Sequence, residues 1–403
     1  MLRLALRNLF RHRLRTGLTL TAIASGVAAL ILSGGFVEDM FHQLAEATIH
    51  GQLGHLQIYR AGFYENGVRD PYNYMIDQPE SLKRRAKSVP QYEDAMERLN
   101  FSGLMNNGRA DYSIRGEGLE ASKEAKFGSY LKIISGRQLT DKDHFSILVG
   151  EGVAKALGLK PGDQATLLLN TQQGALNSLE FEVAGIFRSF AKDYDDRTVR
   201  IPLAAAKELL DTKGINALVV LLQSRDATDQ ARAALRDQLP AVPYDIKTWY
   251  ELADFYRKTT ELYRRQFGVL QLIILIMVLL SVVNSVSMST FERIGEFGTL
   301  MALGDRGAKV FRLVIVENFF LGLIGALIGA MAGILLGLAI SAVGIPMPPP
   351  PNMSAGYTAT IRLVPWVVVG AILVGFAATV LAALLPARRV SRIPVVDALR
   401  ENV

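Results

Sequence analysis

Four long stretches of the chain are apolar and contain no charged residue, and they are spaced very unevenly. They cover 18–37, 266–291, much of 318–361, and 363–387. Each supplies the roughly 20 apolar residues that a helix needs to cross a hydrocarbon core. We therefore predict transmembrane helices at 17–38, 267–291, 313–343 and 363–386. One span is separated from the other three by a long polar segment, so the predicted arrangement is 1 + 3.

The polar segment, 39–266, alternates between strand-type and helix-type patterns. Leu179, Phe181 and Val183 alternate with Glu180 and Glu182, which is the period of a half-buried strand. Similar runs predict strands at 55–59, 146–149, 165–169 and 218–222, and helices at 203–210 and 228–239. The pattern predicts an α+β domain in two lobes, with the pair 165–169 and 179–187 forming a hairpin.

Helical spacing continues at both ends of this domain, at 38–51 and 250–265. We expect the first and second spans to extend past the membrane as stalk helices. Asp226 or Thr228 is the expected cap of the helix at 228–239. The stretch 61–139 is richer in polar residues, and its elements are not predicted.

The composition fits a membrane bundle joined to a polar domain. Of 403 residues, 50% are apolar and 20% are charged. Cysteine is absent, which excludes a disulfide framework, a thiolate metal site and a cysteine nucleophile.

Basic residues cluster near the ends of the predicted spans. Outside 39–266 the chain has fourteen lysines and arginines against seven acidic residues, whereas 39–266 has thirty against thirty-one. Because lysine and arginine near span ends mark the cytoplasmic side, both termini and the loop at 292–312 are predicted to be cytoplasmic. The α+β domain and the proline-rich loop at 344–362 are then extracytoplasmic, and 387–403 is a cytoplasmic tail.

The segment 1–16 is predicted to be an amphipathic helix at the cytoplasmic membrane surface. Arg3, Arg7, Arg11 and Arg15 recur every fourth residue and would face anionic lipid phosphates. A plain topology signal is the alternative. The apolar run that follows is longer than the core of a typical cleaved signal peptide, so we expect a retained anchor.

A stripe of glycines marks the third predicted span. Its members are Gly322, Gly325, Gly329, Gly333 and Gly337. Small residues on one stripe let helix backbones approach closely in lipid. Two interpretations stay open, namely packing within the bundle and a face that slides against a partner helix during a transport cycle.

Polar residues inside the predicted spans are few. Glu317 is expected near the cytoplasmic interface, paired with Arg312 or another basic neighbour, and a proton or ion site is the alternative. Asn284, Ser285 and Ser287 can form hydrogen bonds across the bundle. The scarcity of intramembrane charge argues against an ion-driven carrier, so the energy would have to come from another protein.

No motif of catalysis or cofactor binding occurs in the sequence. It contains no P-loop, no G-x-S-x-G and no H-E-x-x-H, and the five histidines show no usual metal spacing. Asp193, Asp195 and Asp196 form an acidic cluster, best interpreted as a solvated loop, with weak cation binding as the alternative. We predict no catalytic, cofactor-binding or metal residues, and no nucleic-acid partner.

The sequence FERIGEFGTLMALG at 291–304 resembles the cytoplasmic loop of the FtsX/MacB/LolC-LolE permeases, a four-span class of ABC transporter. PARR at 386–389, PVVDALR at 394–400, RNL at 7–9 and LVGE at 148–151 resemble other parts of that family. MacB carries a fused nucleotide-binding domain, which is absent from this sequence. GHLQI at 54–58 and the length look most like the lipoprotein-releasing LolC/LolE type.

The resemblance implies a permease of the bacterial inner membrane that dimerises with a second copy or a sister chain and docks cytoplasmic ATPases, which bind the ATP and Mg. In the docking segment, Glu292, Arg293 and Glu296 would set the register, and Phe297, Leu300 and Leu303, followed by Gly304, would provide an apolar contact. An interfacial helix that faces lipid is the alternative. The implied function is extraction of a lipoprotein or other amphiphile from the outer leaflet toward a periplasmic chaperone. Signalling to a periplasmic partner without transport is the alternative.

Overall fold

The computed structural model describes residues 13–67, 71–127, 131–171, 174–239, 243–348 and 356–394. The predicted surface helix at 1–16 and the family ending at 394–400 lie largely outside these ranges. The chain divides into two compact units. The first contains residues up to His42, Thr260–Pro346 and the chain from Thr358 onward, and the second contains Gln43–Thr259 and Met347–Tyr357.

The helices are α1 (Arg13–Thr48), α2 (Phe63–Asn66), α3 (Pro79–Ala86), α4 (Ala121–Phe127), α5 (Glu151–Leu157), α6 (Lys192–Asp195), α7 (Leu203–Leu210), α8 (Thr228–Gln238), α9 (Trp249–Leu252), α10 (Asp254–Phe291), α11 (Ile294–Ala302), α12 (Gly307–Val343) and α13 (Pro365–Val390). The strands are β1 (Leu56–Arg60), β2 (Tyr92–Asn106), β3 (Asp111–Leu119), β4 (Lys132–Gly136), β5 (Ser146–Gly150), β6 (Gln164–Asn170), β7 (Leu176–Arg188), β8 (Thr198–Pro202), β9 (Ala217–Leu222), β10 (Tyr244–Thr248), β11 (Ile345–Met347) and β12 (Tyr357–Ala359).

Four helices, α1, α10, α12 and α13, are long and apolar enough to cross a membrane, as the sequence predicts. In the first unit, Ile23, Val27 and Ile31 of α1 are completely buried. They form one apolar cluster with valines of α10 and alanines of α12 and α13. The side chains of α1 therefore provide the centre of this bundle.

Helices α1 and α10 are much longer than the predicted spans, since each continues beyond its apolar stretch. The helical character predicted at 38–51 and 250–265 is therefore present. A π-helical turn, Ile49–Leu53, follows α1. The role of these extensions as a stalk, and the boundaries of the spans in a membrane, stay predictions.

The second unit contains a ten-stranded mixed sheet flanked by helices, which confirms the predicted α+β character. The strand order is β10-β1-β9-β2-β3-β8-β5-β7-β4, with β6 paired to β2 and β7. The predicted hairpin is the antiparallel pair β6 and β7. The two lobes are in fact one sheet with two apolar clusters, one around Phe181 and Ile201 and one around Leu56 and Leu235.

The cap predicted for the helix at 228–239 is wrong. Ser224 accepts a hydrogen bond from the backbone N–H of Asp226, and this caps a short 3₁₀ turn, Arg225–Ala227. Helix α8 continues directly from that turn without a side-chain cap of its own. The helix begins at Thr228 as predicted, but the capping side chain lies upstream, at the start of the 3₁₀ turn.

Candidate functional site

The docking segment predicted between the second and third spans folds as the nine-residue helix α11. Gly304 follows it with φ of +100°, which glycine adopts without strain. The Gly304 N–H donates to the carbonyl oxygen of Met301 at 3.0 Å. This hydrogen bond and the positive φ of Gly304 end the helix and reverse the chain direction. Leu303 therefore lies at the turn that follows α11.

Arg293 lies buried at the start of α11, against the base of α12. Its guanidinium donates to both carboxylate oxygens of Glu317, at 2.6 and 3.2 Å, and to Glu296 at 3.1 Å. It also lies 4.9 Å from the ring centre of Phe297. The basic neighbour expected beside Glu317 is therefore Arg293, the second of the two predicted possibilities. The bidentate geometry fixes the direction of the Arg293 side chain as well as its distance.

Phe297 also faces inward and is 1% exposed. It packs in an apolar cluster with Val310 and Val314 of α12 and with Ala387 and Val390 of α13. Arg293 and Phe297 hold α11 to its own chain, which differs from the contact roles predicted for them.

The outward side of the segment carries the other predicted residues. Leu303 is 82% exposed, Glu292, Glu296 and Gly304 are exposed, and Leu300 is half-buried. The surface available for docking is therefore smaller than predicted and centres on Leu303.

The glycine stripe of α12 faces other helices of the same chain. A Cβ atom on Gly329 would lie 2.6 Å from the carbonyl oxygen of Ala24 in α1. Side chains on Gly325 and Gly333 would also meet α1, one on Gly322 would meet α13, and one on Gly337 would meet Ile361 and Leu363. This geometry favours the interpretation of packing within the bundle over a sliding face for a partner.

Helix α10 is far less covered than the other three long helices. Only 11% of its most apolar stretch is buried, compared with 33 to 44% in the others. One face of α10 packs against α1. Val278 of α10 lies against Gly26 of α1, and the hydroxyl groups of Thr19 and Ser285 form a hydrogen bond of 2.5 Å. The opposite face exposes large apolar side chains, among them Val269, Ile273 and Met277.

A buried ionic cluster lies where the helical extension of α1 ends in the second unit. Arg200 is 1% exposed and contacts Glu117 at 3.1 Å, Glu124 at 3.0 Å and the Tyr194 hydroxyl at 3.0 Å. Arg98 is 2% exposed and pairs with Glu124 at 3.3 Å. Two arginines and two glutamates thus neutralise one another inside the domain.

Both arginines also bind backbone carbonyls of the π-helical turn. Arg200 donates to Gly51 at 3.1 Å, and Arg98 donates to Gln52. The last carbonyls of a helix carry partial negative charge that cations stabilise. The cluster therefore caps the helix that begins as α1. Sequence reasoning missed it, because Arg98 and Glu124 lie in the polar stretch 61–139, whose elements were not predicted.

Asp195 and Asp196 of the acidic cluster have partners in the protein. Asp196 pairs with Lys192 at 2.6 Å, and Asp195 accepts from the Ser189 N–H at 2.8 Å. Among the residues that the structure describes, no group of three or more His, Asp or Glu side chains could hold a metal ion.

Both halves of the chain match models of known protein families. Residues 16–238 match the MacB-like periplasmic core domain, and residues 268–395 match the FtsX-like permease C-terminal region. An uncharacterized ABC transporter permease of Methanocaldococcus jannaschii is 23% identical, covering 98% of this chain and 96% of that protein.

Two relatives with named roles are similarly distant. The lipoprotein-releasing system transmembrane protein LolC of Neisseria meningitidis is 23% identical over 81% of this chain and 78% of its own length. The macrolide export ATP-binding/permease protein MacB of Rhodospirillum rubrum is 23% identical over 99% of this chain, but over only 60% of its own length.

Proposed function

Because this chain belongs to the family of ABC transporter permeases with a MacB-like periplasmic core domain and an FtsX-like C-terminal region, we propose that it releases an amphiphile from the outer leaflet of the bacterial inner membrane. A lipoprotein is the proposed substrate. A separate cytoplasmic ATPase, which binds the ATP and Mg, supplies the energy. The chain crosses the membrane four times in a 1 + 3 arrangement, with both termini inside and the α+β domain in the periplasm.

The exposed face of α10 is the observation that carries this proposal. Its outer half presents Val269, Ile273 and Met277 without cover from the rest of the bundle. An apolar wall of this kind suits an acyl chain, because it spares the chain the cost of about 0.8 kcal/mol for each CH₂ group that would otherwise be exposed to water during release. A second permease that faces this wall would complete a cavity at membrane level. A hydrophilic substrate would gain nothing from such a wall.

The cytoplasmic ATPase would act on this chain through the segment that contains α11. Leu303 contacts the ATPase, and Glu292 and Glu296 fix the register around it. The Arg293–Glu317 pair, 2.6 Å at its shortest, and the buried Phe297 make α11 move together with α12 and α13. A displacement of the ATPase surface would then be passed on to the bundle. The periplasmic domain would direct the released lipoprotein to a chaperone.

The test is reconstitution with the cognate ATPase in liposomes loaded with a lipidated protein and with its unlipidated form. We expect release only with ATP and only of the lipidated form. ATP-dependent turnover without release would favour signalling to a periplasmic partner, and export of a macrolide instead would refute the lipoprotein assignment.

A variant pair tests the coupling surface. Leu303→Ser removes the exposed side chain at the corner, whereas Val343→Ser alters an equally exposed residue, 88% accessible, at the other end of α12. We expect Leu303→Ser to lower ATP-driven release about ten-fold, as loss of a central apolar contact does. Val343→Ser should leave release unchanged. Equal effects of the two would contradict the docking role.

A further inference from the structure

Helices α12 and α13 pack against each other in the inner half of the bundle. Gly322 of α12 faces Phe376 of α13, because a Cβ atom on the glycine would lie 3.4 Å from the phenylalanine ring. Closer to the predicted cytoplasmic end, Gly307 lies against the backbone of Ser391. The two contacts show that the helices run antiparallel and stay adjacent between these points. The Gly322–Phe376 contact therefore fixes the depth and direction of the residues beyond it.

Arg312 and Arg388 lie at nearly the same depth and on the same side of this helix pair. Arg312 is ten residues before Gly322, and Arg388 is twelve residues after Phe376. At 1.5 Å per residue they are about 15 Å and about 18 Å from the facing pair. At 100° per residue they are rotated by about 80° and about 120° from it. Because rotations of the same sense point to the same side of antiparallel helices, the two arginines flank one groove.

Neither of these guanidinium groups forms an ion pair with a carboxylate in the part of the chain that the structure describes. Both arginines are exposed. Acidic residues near them in the chain have other partners, since Asp305 pairs with Lys309 at 2.6 Å and Glu317 pairs with Arg293. The groove therefore carries the full positive charge of two arginines.

Above the arginines, toward the middle of the bundle, the same groove is apolar and open. Phe319 and Leu323 of α12 are 43% and 38% exposed, and Leu381 and Leu384 of α13 are 58% and 40% exposed. Arg388 follows Leu384 by about one helical turn. An apolar surface that ends in two cations matches the two parts of one phospholipid, its acyl chains and its phosphate. A water-soluble partner would contact the arginines but leave the apolar part uncovered.

We infer that this groove binds an anionic phospholipid of the cytoplasmic leaflet, with phosphate between Arg312 and Arg388. Guanidinium groups bind phosphate oxygens in a bidentate manner. Basic pockets between transmembrane helices on the cytoplasmic side suit cardiolipin, whose two phosphates match the two arginines. The inference rests on the membrane orientation proposed above, but it depends neither on the substrate nor on the ATPase.

The test is binding of tetraoleoyl cardiolipin to the full chain in detergent, measured by native mass spectrometry without ATP or ATPase. Dioleoyl phosphatidylethanolamine is the comparison lipid. The test variant combines Arg312→Gln with Arg388→Gln. The matched control combines Arg306→Gln with Arg389→Gln, which removes the same charge from exposed positions at the same end of the bundle. Those two positions are rotated by about 200° and about 220° from the facing pair, on the opposite side from the groove.

We expect cardiolipin to bind more tightly than phosphatidylethanolamine. Loss of each groove arginine should lower the affinity for cardiolipin about five-fold, and loss of both about 25-fold, which is the contribution of a basic residue near anionic lipid. The control pair should leave the affinity almost unchanged. Both double variants should melt at the temperature of the unaltered chain in lipid-free detergent, because all four arginines are exposed.

Three results would overturn the inference. They are equal losses of affinity in the two double variants, equal binding of the two lipids, and displacement of cardiolipin by inorganic phosphate, which would assign the site to a soluble anion. Loss of ATPase binding in the Arg312/Arg388 variant with unchanged cardiolipin binding would assign the groove to the ATPase instead. If cardiolipin binds as expected but lipoprotein release fails, only the proposed substrate is refuted.

Discussion

Arg200 is the residue whose loss should most damage the periplasmic domain. Its guanidinium is 1% exposed and is held by Glu117, Glu124, Tyr194 and the carbonyl of Gly51. Phe187 and Tyr194 present their rings 5.6 Å from its central carbon. Although burial opposes the charged form, the neighbouring Tyr194 and the two glutamates raise the pKa of Arg200. The variant Arg200→Met keeps most of the volume and removes every polar contact.

The expected loss of folding stability in Arg200→Met depends on the buried carboxylates that are left without their partner. Removing one partner of a buried ion pair typically costs 3–5 kcal/mol, because the other charge is left uncompensated. Here Arg98 still reaches Glu124 at 3.3 Å, which places the loss near the lower end, at about 3 kcal/mol. The Gly51 carbonyl also loses its donor, so the turn after α1 should loosen first.

Trp249 gives a local signal for the measurement, because it is 7% exposed in the same unit. We would follow its fluorescence during urea unfolding of the full chain in detergent, in a Trp366→Phe background. With a slope of about 3 kcal/mol per molar urea, the loss lowers the midpoint by about 1 M. Lys192→Met, which breaks the solvent-exposed pair with Asp196, is the control and should not move the midpoint. A shift for Arg200→Met as small as that of the control would refute the reasoning.

Three further outcomes are expected. Gly329→Leu should unfold the bundle at a lower temperature in detergent, because its Cβ would meet a backbone oxygen at 2.6 Å, whereas Gly268→Leu, with nothing within 4 Å, should be neutral. Glu317→Leu should destabilise by about 3 kcal/mol, because the buried Arg293 loses its bidentate partner and keeps only Glu296, and the double variant with Arg293→Met should recover much of this loss in the same denaturation assay. Burial lowers the pKa of His55 from 6.5 to about 4. The unfolded state therefore binds the proton first, and stability present above pH 6.5 should fall by about 3 kcal/mol toward pH 4, with a flatter profile for His55→Asn.

The elements that the sequence predicted are those whose pattern is local. Strand β7 alternates apolar and acidic residues, and strand β9 is a continuous apolar run, so periodicity alone identifies them. Strand β2, of fifteen residues, escaped prediction because Glu97 and Arg98 interrupt its apolar pattern. Glu97 is buried between Lys83 at 2.8 Å and Lys207 at 3.0 Å. The two lysines compensate the buried charge of Glu97 inside the domain. They lie at distant positions in the sequence, so a short stretch of sequence around Glu97 does not reveal them.

In the docking segment, too, the local sequence predicts the helix but not the direction of its side chains. Its position, its helical form and its end at Gly304 follow from the sequence, because glycine after a periodic stretch stops a helix. The inward direction of Arg293 and Phe297 does not, because it depends on Glu317, twenty-four residues away in α12. Sequence reasoning identified Glu317 as requiring a basic partner, Arg312 or another neighbour, but could not single out Arg293.

Arg200 and Arg293 use the same chemistry in two different units, and this suggests why arginine occupies both positions. Each guanidinium binds carboxylate oxygens on one side and lies near an aromatic ring, 5.6 Å from Phe187 and 4.9 Å from Phe297. A buried ion pair adds little net stability over an apolar replacement, so stability alone does not explain these charges. What a planar, multiply bonded guanidinium supplies is a fixed direction. Under the proposed coupling role, a rigid attachment lets a helix pass on displacement, whereas a lysine at either position would keep the charge but lose the fixed direction.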